Sequence, residues 1–369
     1  MQLFDTARQE VVPFEPRDGR VGIYVCGITP YDSAHLGHAF VYHVFDVLHR
    51  RFRDSGIEVR SVRNVTDVDD DILRKARSLG VYYLDLAAAE TARFDRDMRA
   101  MGMLESASEP RATSAISDIL RLIGKLFDAG AAYEANGAVY FDTATSERFG
   151  KLFGLAPEKM VELSAERGGN PNDPNKRSPL DFVLWQPSLD DEPSWESRWG
   201  AGRPGWHIEC SALVIRELGE TIDLHGGGSD LIFPHHECEA VTAETATGVP
   251  FVKHWMHAGM VRLAGEKMSK SLGNLVFASD LLVDHDPSAI RLTILSHHYR
   301  ESWEWFEDEL FKYEALLEGW RLRGPGDGAL TEVRERLDDD LDTPGAIAAI
   351  ERAVSRADGV SEALTLLGI

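Results

Sequence analysis

The pattern of hydrophobic positions near the N-terminus predicts a strand, a helix and a second strand in succession. Residues 21–25 form a short apolar run, residues 39–53 carry apolar side chains at helical spacing, and residues 57–62 alternate between apolar and polar positions. A period of 3.6 residues indicates a helix with one buried face, and a period of two indicates a half-buried strand. This order is typical of a right-handed βαβ unit, which binds ligands at the carboxyl ends of its strands.

The rest of the chain continues the mixed α/β pattern. The segments differ in type: mostly helical at 72–130, strands at 138–142 and 221–224, a loop rich in Gly, Pro and Asn at 166–179, and helices from 303 to the end, interrupted by GPGDG at 324–328. The length of 369 residues supports one large domain and a smaller one. We therefore predict a catalytic domain with a parallel sheet over residues 1–300, with an insertion at about 100–200, and a C-terminal helical bundle over 301–369.

Composition changes this picture by excluding several protein classes. No apolar run approaches the roughly 18 residues that a membrane span needs. The N-terminus lacks the basic and then apolar pattern of a signal peptide. Three cysteines cannot make a disulfide framework, so each is interpreted as a metal ligand, a reactive thiol or a core residue. We expect a cytoplasmic protein without a membrane partner.

The charge balance bears on nucleic acid as a partner. The net charge is −22, and from residue 300 onward eight Lys and Arg stand against 17 Asp and Glu. Proteins that bind nucleic acid usually do so through Lys and Arg patches that displace counterions. The acidic C-terminal part therefore argues against an RNA partner, although a local basic patch is compatible with an acidic total.

Two short sequence strings predict a site that binds a nucleoside triphosphate and reacts at its phosphates. HLGH at 35–38 follows the first predicted strand and its exit at 26–32, and KMSKS at 267–271 is a cationic loop. A helix N-terminus presents free N–H groups and a partial positive charge, which favour phosphate. Four side chains would neutralise charge as an α-phosphate is attacked: His35, His38, Lys267 and Lys270. Each string alone also fits a solvated helix start or a polar turn, but both in this order predict a catalytic site.

A second set of residues has the composition of a metal site. Cys26 lies at the exit of the first strand, Cys210 lies in the GWHIEC string, and His235 and Glu239 are four residues apart on one predicted helix face. Two thiolates, an imidazole and a carboxylate suit zinc, and an expandable zinc site also accepts a substrate sulfur. The alternative is that the cysteines are buried structural residues. Cys238 faces away from the His–Glu pair and is interpreted as a packing residue.

Six segments together resemble the cysteinyl-tRNA synthetases, a family of class I aminoacyl-tRNA synthetases. They are CGITPYD at 26–32, HLGH at 35–38, NVTDVDD at 64–70, GWHIEC at 205–210, GSDLIFPHH at 228–236 and KMSKS at 267–271. The resemblance implies a class I synthetase-type Rossmann (HUP-like) α/β catalytic domain with an inserted connective subdomain. It also implies that four residues bind one Zn²⁺ per chain, and that the zinc binds the substrate thiolate: Cys26, Cys210, His235 and Glu239. Because a serine hydroxyl is a poor zinc ligand, such a site would separate cysteine from serine without editing.

The same resemblance implies a site for cysteinyl adenylate. Its residues would be Cys26, Gly27, Ile28, Thr29, Val41, Asn64, Val65, Thr66, Trp206, Gly228, Ser229, Asp230 and Val261. Thr29 and Thr66 would donate to the substrate, Trp206 would form an aromatic wall, and Asp230 would contact the ribose or the amine. ATP would bring Mg²⁺, held mainly by phosphate oxygens. The alternatives are core packing for Trp206 and a turn-stabilising hydroxyl for Thr66.

Three further segments resemble the cysteine ligases of the mycothiol pathway, a family similar to a truncated cysteinyl-tRNA synthetase. They are GITP at 27–30, ERGGNP at 166–171 and SWEW at 302–305. That family passes the cysteinyl group from the adenylate to the amine of glucosaminyl-inositol. The resemblance implies small-molecule substrates, namely ATP, L-cysteine and an amino sugar, and we expect a monomer. Asn170, Val41 and Glu239 differ from the usual ligase residues, which leaves the acceptor amine open.

Two other hypotheses remain beside the small-molecule ligase. One is an enzyme that aminoacylates tRNA, or a paralogue that cysteinylates another small amine. The other is a synthetase-like binding protein without catalysis, against which the intact HLGH and KMSKS strings argue. An assay that offers either glucosaminyl-inositol or tRNA separates the two enzymes.

Overall fold

The structure is a computed structural model that describes residues 1–16, 18–31, 34–268 and 272–369. Lys270, predicted as a catalytic residue, lies outside the described residues. The strands are β1 (Gln2–Asp5), β2 (Glu10–Pro13), β3 (Arg20–Ile28), β4 (Glu58–Val65), β5 (Ala132–Ala135), β6 (Ala138–Phe141), β7 (Phe182–Gln186), β8 (Arg203–Pro204), β9 (Ile222–Gly228), β10 (Val252–Ala258), β11 (Val261–Leu263), β12 (Glu266–Lys267) and β13 (Trp303–Glu304).

The helices lie between and after these strands along the chain. They are α1 (Leu36–Asp54), α2 (Asp70–Leu79), α3 (Tyr83–Ala100), α4 (Ile116–Asp128), α5 (Pro157–Glu166), α6 (Trp206–Leu218), α7 (Glu237–Thr247), α8 (Ala278–Asp284), α9 (Pro287–Leu295), α10 (Glu307–Arg321), α11 (Leu330–Asp338), α12 (Thr343–Ser355) and α13 (Ser361–Leu367). Among the described residues, none of these helices combines the length and the apolar character that a membrane crossing needs.

A four-stranded parallel sheet in the order β10-β9-β3-β4 organises the molecule. Strand β3 is central: the chain pairs it first with β4, through α1, and later with β9 on its other side. The strand order therefore reverses across β3, and in open parallel sheets such a point is where ligands bind. The predicted βαβ unit and the α/β class are confirmed.

Both faces of this sheet are covered, as parallel sheets require. Because side chains alternate along a strand, Ile23 and Val25 pack toward the cluster that contains α1, whereas Tyr24 and Cys26 pack toward the cluster that contains α6. The sequence period of α1 explains its burial, since its apolar side chains recur at helical spacing on one face. The thiol of Cys26 is thereby directed toward α6 and α7.

Strand β9 is longer than predicted. The sequence pattern ended this strand at residue 224, because glycine is depleted in strands. In the structure β9 continues through Gly226 to Gly228, paired with β10. The ring of Phe45 on α1 occupies the space that a side chain would need, since a Cβ at Gly226 would lie 2.1 Å from that ring. The glycines let the helix approach the sheet.

The segment between the two halves of the sheet contains its own antiparallel sheet, in the order β5-β6-β7-β8. The strand predicted at 138–142 is β6. Of the loop predicted at 166–179, Glu166 is the last residue of α5 and residues 167–179 form no helix or strand. The predicted insertion at about 100–200 covers most of this sheet. The domain boundary at residue 300 stays a prediction, and β13 crosses it by pairing with β11.

The prediction of helix from residue 303 onward is wrong at its start. Trp303 and Glu304 form β13, parallel to β11, and α10 begins only at Glu307. The reason is a local period of two: Trp303 and Trp305 are both 6% exposed, and Glu304 lies between them with its carboxylate accepting from the N–H of Gly265. After this short strand, α10 to α13 are helical as predicted.

Candidate active site and metal centre

The four predicted zinc ligands lie together in the buried interior. One ligand atom from each lies within 4.8 Å of all the others: Cys26, Cys210, His235 and Glu239. His235 Nε2 is 2.7 Å from Glu239 Oε1, and the Cys26 thiol donates to the same oxygen at 3.4 Å. A tetrahedral zinc site has bonds of about 2.0–2.3 Å, which places neighbouring ligand atoms about 3.3–3.8 Å apart. The donor types and the burial therefore fit Zn²⁺. The 3.4 Å between Cys26 and Glu239 matches this spacing, whereas the hydrogen-bonded pair of His235 and Glu239 is closer, at 2.7 Å.

Two histidines that the sequence did not single out belong to the same cluster. His225 and His236 form a second group with Cys26 and Glu239, whose ligand atoms also lie within 4.8 Å of one another. His225 Nε2 is 2.9 Å from Glu239 Oε2, so the carboxylate has a different histidine at each oxygen. The strings HGGG at 225–228 and PHH at 234–236 contain these two histidines. A single histidine in a sequence does not indicate which residues lie beside it in the fold.

A chain of hydrogen bonds anchors this cluster to the N-terminal strand. The ring of His236 contacts His257 at 2.7 Å between Nδ1 and Nε2. His257 Nδ1 in turn lies 2.9 Å from Thr6 Oγ1. Such partners fix the orientation of an imidazole and thereby its preferred nitrogen for binding.

The electrostatics of the cluster favour a cation. A hydrogen bond from Cys26 lowers the pKa of Cys210 to about 6, while burial raises the pKa of the Cys26 thiol well above its ordinary value. Burial lowers the pKa of His235, but Glu239 and Cys210 outweigh burial and raise it to about 10. Burial alone would raise the pKa of Glu239, yet His235 and His225 hold it well below its ordinary range. A divalent cation would displace protons from this set, as metal binding generally does.

Trp206 closes one side of the cluster. It is the first residue of α6, it is half-buried, and its ring stacks on His235 with centroids 4.2 Å apart and an interplanar angle of 18°. The neighbouring His207 holds the other ring nitrogen of His235, with 2.9 Å between the two Nδ1 atoms. Because Trp206 is partly exposed, it does not match the core-packing alternative.

The ends of β3 and β4 hold the predicted adenylate residues against one another. The N–H of Gly27 donates to Asn64 Oδ1 at 2.7 Å, and Asn64 Nδ2 donates to Thr66 Oγ1 at 3.1 Å. A Cβ at Gly27 would lie 1.5 Å from the backbone oxygen of Asn64, so only glycine fits there. The N–H of Thr66 donates to the oxygen of Ile28 at 2.9 Å. These contacts match the turn-stabilising alternative for Thr66, and its contact with substrate stays a prediction.

The predicted phosphate-binding histidines lie at the N-terminus of α1. His35 caps the helix, because its Nδ1 accepts from the N–H of Gly37 at 3.1 Å. The rings of His35 and His38 lie with centroids 3.9 Å apart. Two imidazoles thus lie at one helix start, where the partial positive charge of the helix N-terminus favours an anion.

Lys267 and Asp230 lie in contact, although the sequence separates them. Lys267 Nζ donates to Asp230 Oδ2 at 3.1 Å. Burial raises the pKa of Asp230, and the charge of Lys267 outweighs burial and lowers it. Arg167, which the sequence analysis did not assign, donates to the backbone oxygens of Asp230 and Phe233. The ERGGNP string contained this arginine, but its partner could not be read from the string.

The remaining predicted residues line the same region or lie behind it. Val65 is buried at the end of β4, and Ser229 begins a short 3₁₀ helix after Gly228. A Cβ at Gly228 would lie 3.7 Å from Val41, so these two predicted positions are neighbours. Val261 is 1% exposed and its side chain belongs to the core, so a ligand contact there requires its backbone.

Glu209 is a buried residue near the site that the sequence analysis did not assign. It lies on α6, it is 0% exposed, and within the described part of the chain neither carboxylate oxygen has a hydrogen-bond partner. Burial raises the pKa of Glu209 well above its ordinary value, with Asp69 the next contribution. The GWHIEC string contains Glu209, but only the structure shows that its carboxylate is unpaired.

The parallel sheet, together with HLGH at 35–38 and KMSKS at 267–271, defines a class I synthetase-type catalytic domain. The family model described as the catalytic domain of class I (C) tRNA synthetases matches residues 13–315. Among solved structures, Mycobacterium tuberculosis methionyl-tRNA synthetase in complex with methionyl-adenylate is similar, with a TM-score of 0.67 at 16% identity over 91% of this chain and 82% of that chain. That likeness shows the fold.

Curated relatives are much more similar in sequence. The L-cysteine:1D-myo-inositol 2-amino-2-deoxy-alpha-D-glucopyranoside ligase of Thermobispora bispora is 49% identical over 367 residues, covering 97% of this chain and 90% of that protein. The ligase of the same name from Streptosporangium roseum is 48% identical over 364 residues, covering 97% and 89%. The chain belongs to this family of cysteine ligases within the class I synthetases.

Proposed function

We propose that this protein activates L-cysteine with ATP to cysteinyl adenylate and transfers the cysteinyl group to the amine of glucosaminyl-inositol. The reaction forms an amide and releases pyrophosphate and then AMP. The observation that carries the proposal is the buried convergence of Cys26, Cys210, His235 and Glu239 beside the strand ends at the centre of the sheet. The names of the ligase relatives support the acceptor.

The buried cluster would select the amino acid. When bound there, Zn²⁺ supplies a soft Lewis acid that prefers a substrate thiolate over a hydroxyl. The protein residues hold the ligand geometry: Trp206 and His207 fix the ring of His235, and His225 fixes the second oxygen of Glu239. Because these partners hold the side chains of His235 and Glu239, the ligands keep one arrangement, and the amino acid is positioned for attack.

The N-terminal end of α1 would bind the phosphates of ATP. The N-terminal N–H groups of α1, with His35 and His38, face the developing negative charge on the triphosphate. We assign Lys267 and Lys270 to the same task, and Mg²⁺ enters with ATP through the phosphate oxygens. In this proposal the contact of Lys267 with Asp230 gives way when the phosphates bind.

The transfer step needs an amine acceptor rather than RNA. The amine nitrogen attacks the acyl carbon of the adenylate, a C–N bond forms, the bond to the phosphate oxygen breaks, and AMP leaves with its electrons. The acidic C-terminal part, with a net charge of −9 from residue 300, disfavours tRNA. We also propose that the protein acts as a monomer in the cytoplasm.

One assay separates this proposal from tRNA aminoacylation. The protein is incubated with ATP and radiolabelled cysteine, and it is offered glucosaminyl-inositol, a different amino sugar, or bulk tRNA. We expect label in the glucosaminyl-inositol amide. Label in tRNA alone would support a cysteinyl-tRNA synthetase, and label only in the other amino sugar would indicate a paralogue with a different acceptor.

A further inference from the structure

Glu209 has an unusual environment that the proposed reaction does not yet use. Its side chain is 0% exposed, and among the described residues nothing donates a hydrogen bond to Oε1 or Oε2. Buried polar groups are nearly always hydrogen-bonded, because an unpaired one has lost its water without compensation. Two unpaired oxygens on one carboxylate therefore indicate that a ligand supplies the missing donors.

The position of Glu209 directs it toward the substrate site. It lies three residues after Trp206 on α6, which puts the two side chains on one helix face, and it directly precedes Cys210. The strongest electrostatic influences on its carboxyl group come from Asp69, Cys210 and Asp67. Glu209 therefore lies next to a ligand of the metal cluster on α6 and within electrostatic range of the segment that follows β4.

Asp69 is the carboxylate with the largest electrostatic effect on Glu209. Its Oδ1 accepts from the N–H of Ile72 at 2.9 Å and caps α2, and its Oδ2 accepts from Thr29 Oγ1 at 3.2 Å. Within the described ranges, neither Asp69 nor Glu209 forms an ion pair with a Lys, Arg or His. The nearby Arg203 is already paired with Asp70 and Glu192. Among the described residues, no protein cation is therefore bonded to either of these two carboxylates.

We propose that Glu209 and Asp69 form a subsite for a primary ammonium group of a substrate. An ammonium has three N–H donors and no acceptor, so it would pair the open oxygens of Glu209 and compensate the two carboxylates. This inference rests on the proposed function, in which two substrates carry such a group: the α-ammonium of cysteine and the amine of the acceptor. A substrate analogue that lacks the group would leave Glu209 unpaired, which is a strong basis for discrimination.

The variant Glu209→Gln tests the subsite, because it keeps the shape and removes the charge. The first arm measures cysteine-dependent ATP–pyrophosphate exchange, with 3-mercaptopropionate as a competitive inhibitor that has the thiol and carboxylate but no amine. If cysteine supplies the ammonium, KM for cysteine rises at least about tenfold and the inhibition constant of 3-mercaptopropionate is unchanged. The second arm measures ligation at saturating cysteine: if the acceptor supplies the ammonium, exchange is unchanged and KM for glucosaminyl-inositol rises by a similar factor.

Asp97→Asn is the matched control. Asp97 lies on α3, it is 4% exposed, and one of its oxygens also lacks a hydrogen-bond partner in the described structure, but it is not part of the site. We expect this variant to leave both KM values unchanged. If Glu209→Gln does not fold, Asp69→Asn carries the same test, since asparagine also caps helices and its side chain is neutral.

Two results would overturn the subsite. One is an equal rise in KM for cysteine and in the inhibition constant of 3-mercaptopropionate, which would indicate a structural role. The other is no change in KM for either cysteine or glucosaminyl-inositol. The wild-type protein separates these failures from that of the proposed function: absence of cysteine-dependent exchange in the wild type contradicts the function, whereas normal wild-type exchange with unaltered selectivity in the variant contradicts the subsite alone.

Discussion

At the scale of single residues, Glu239 is central because its two oxygens have different partners. Oε1 lies 2.7 Å from His235, and Oε2 lies 2.9 Å from His225. The carboxylate thereby connects a predicted ligand to a histidine that the sequence did not single out. A buried carboxylate with this support keeps its charge and is available to a metal ion.

The cysteines provide a test of the metal site at the same scale. Cys210→Ala removes a ligand from the cluster, so we expect loss of bound zinc and loss of cysteine-dependent ATP–pyrophosphate exchange of at least 100-fold, on the order of what a ligand contributes. Cys238→Ala is the matched control, because Cys238 is buried but belongs to neither group of possible ligands. Zinc content by mass spectrometry and the rate of ATP–pyrophosphate exchange are compared between the two variants. Equal zinc in both variants would contradict the metal assignment.

His43 gives a prediction about pH. Burial, with a smaller effect of Arg291, lowers the pKa of His43 to about 4. The unfolded chain takes up this proton near pH 6.5 and the folded chain only near pH 4, so the stabilisation is complete above pH 6.5 and is lost as the pH falls toward 4. The lost stability is about 3 kcal/mol.

The variant His43→Leu cannot take up that proton. Urea unfolding of the wild type and the variant at pH 7 and pH 4.5 measures the difference. We expect the variant to lose less free energy of unfolding than the wild type over this interval. The same loss in both proteins would show that His43 does not titrate as described.

Much of the site chemistry was predictable at the residue scale, but the pairing of residues was not. The residue types of Cys26, Cys210, His235 and Glu239, and the sequence strings that contain them, indicated a zinc site. The structure brings those four residues together. Arg167 and Glu209 were missed because a sequence string does not show which groups face a side chain: Arg167 meets two backbone oxygens, and Glu209 meets no hydrogen-bond donor among the described residues. That information arises only when distant segments fold together.

At the scale of elements, the position of the site follows from the crossover at β3. The chain pairs β3 with β4 and later with β9, so the carboxyl ends of three strands meet beside the N-terminus of α1. The βαβ unit was predictable because its periods are strong. The extension of β9 and the strand β13 were not, because close helix contact and a two-residue strand leave almost no periodic signal.

The junction between β3 and β4 can be tested with two glycines on one strand. In Gly27→Ala the new Cβ would lie 1.5 Å from the oxygen of Asn64, whereas in Gly22→Ala the nearest atom would be at 3.6 Å. We expect Gly27→Ala to lower the free energy of unfolding by at least about 3 kcal/mol, and Gly22→Ala to change it by no more than about 1 kcal/mol. Urea unfolding monitored by circular dichroism measures both. Equal effects would show that the close contact at Gly27 is not required.

At the scale of the whole molecule, a buried arginine joins distant parts of the chain. Arg291 on α9 is 0% exposed, forms an ion pair with Asp46 on α1, and donates to the backbone oxygens of Leu367 and Met101. The C-terminal helices are thereby tied to the catalytic part, although the domain boundary itself stays a prediction. Asp46 also pairs with Arg50 at 2.8 Å, so removing Arg291 leaves a buried carboxylate with one of its two arginine partners.

Arg291→Met tests this connection. We expect it to lower the free energy of unfolding by about 3 kcal/mol, because buried Asp46 keeps only Arg50 as an ion-pair partner and the backbone oxygens of Leu367 and Met101 lose a donor. Arg77→Met is the control: its ion pair with Asp191 is exposed, and we expect no measurable change in the free energy of unfolding. Chemical denaturation of both variants gives the comparison, and a small effect at Arg291 would show that the helices hold together without it.

The central claim is that the buried thiol cluster selects cysteine for adenylation. The most direct measurement is ATP–pyrophosphate exchange by the zinc-loaded protein with cysteine or serine as the amino acid. The account predicts exchange with cysteine and at least about 100-fold less with serine, because serine cannot offer a thiolate to the metal. Equal exchange with both amino acids, or none with cysteine, would contradict it.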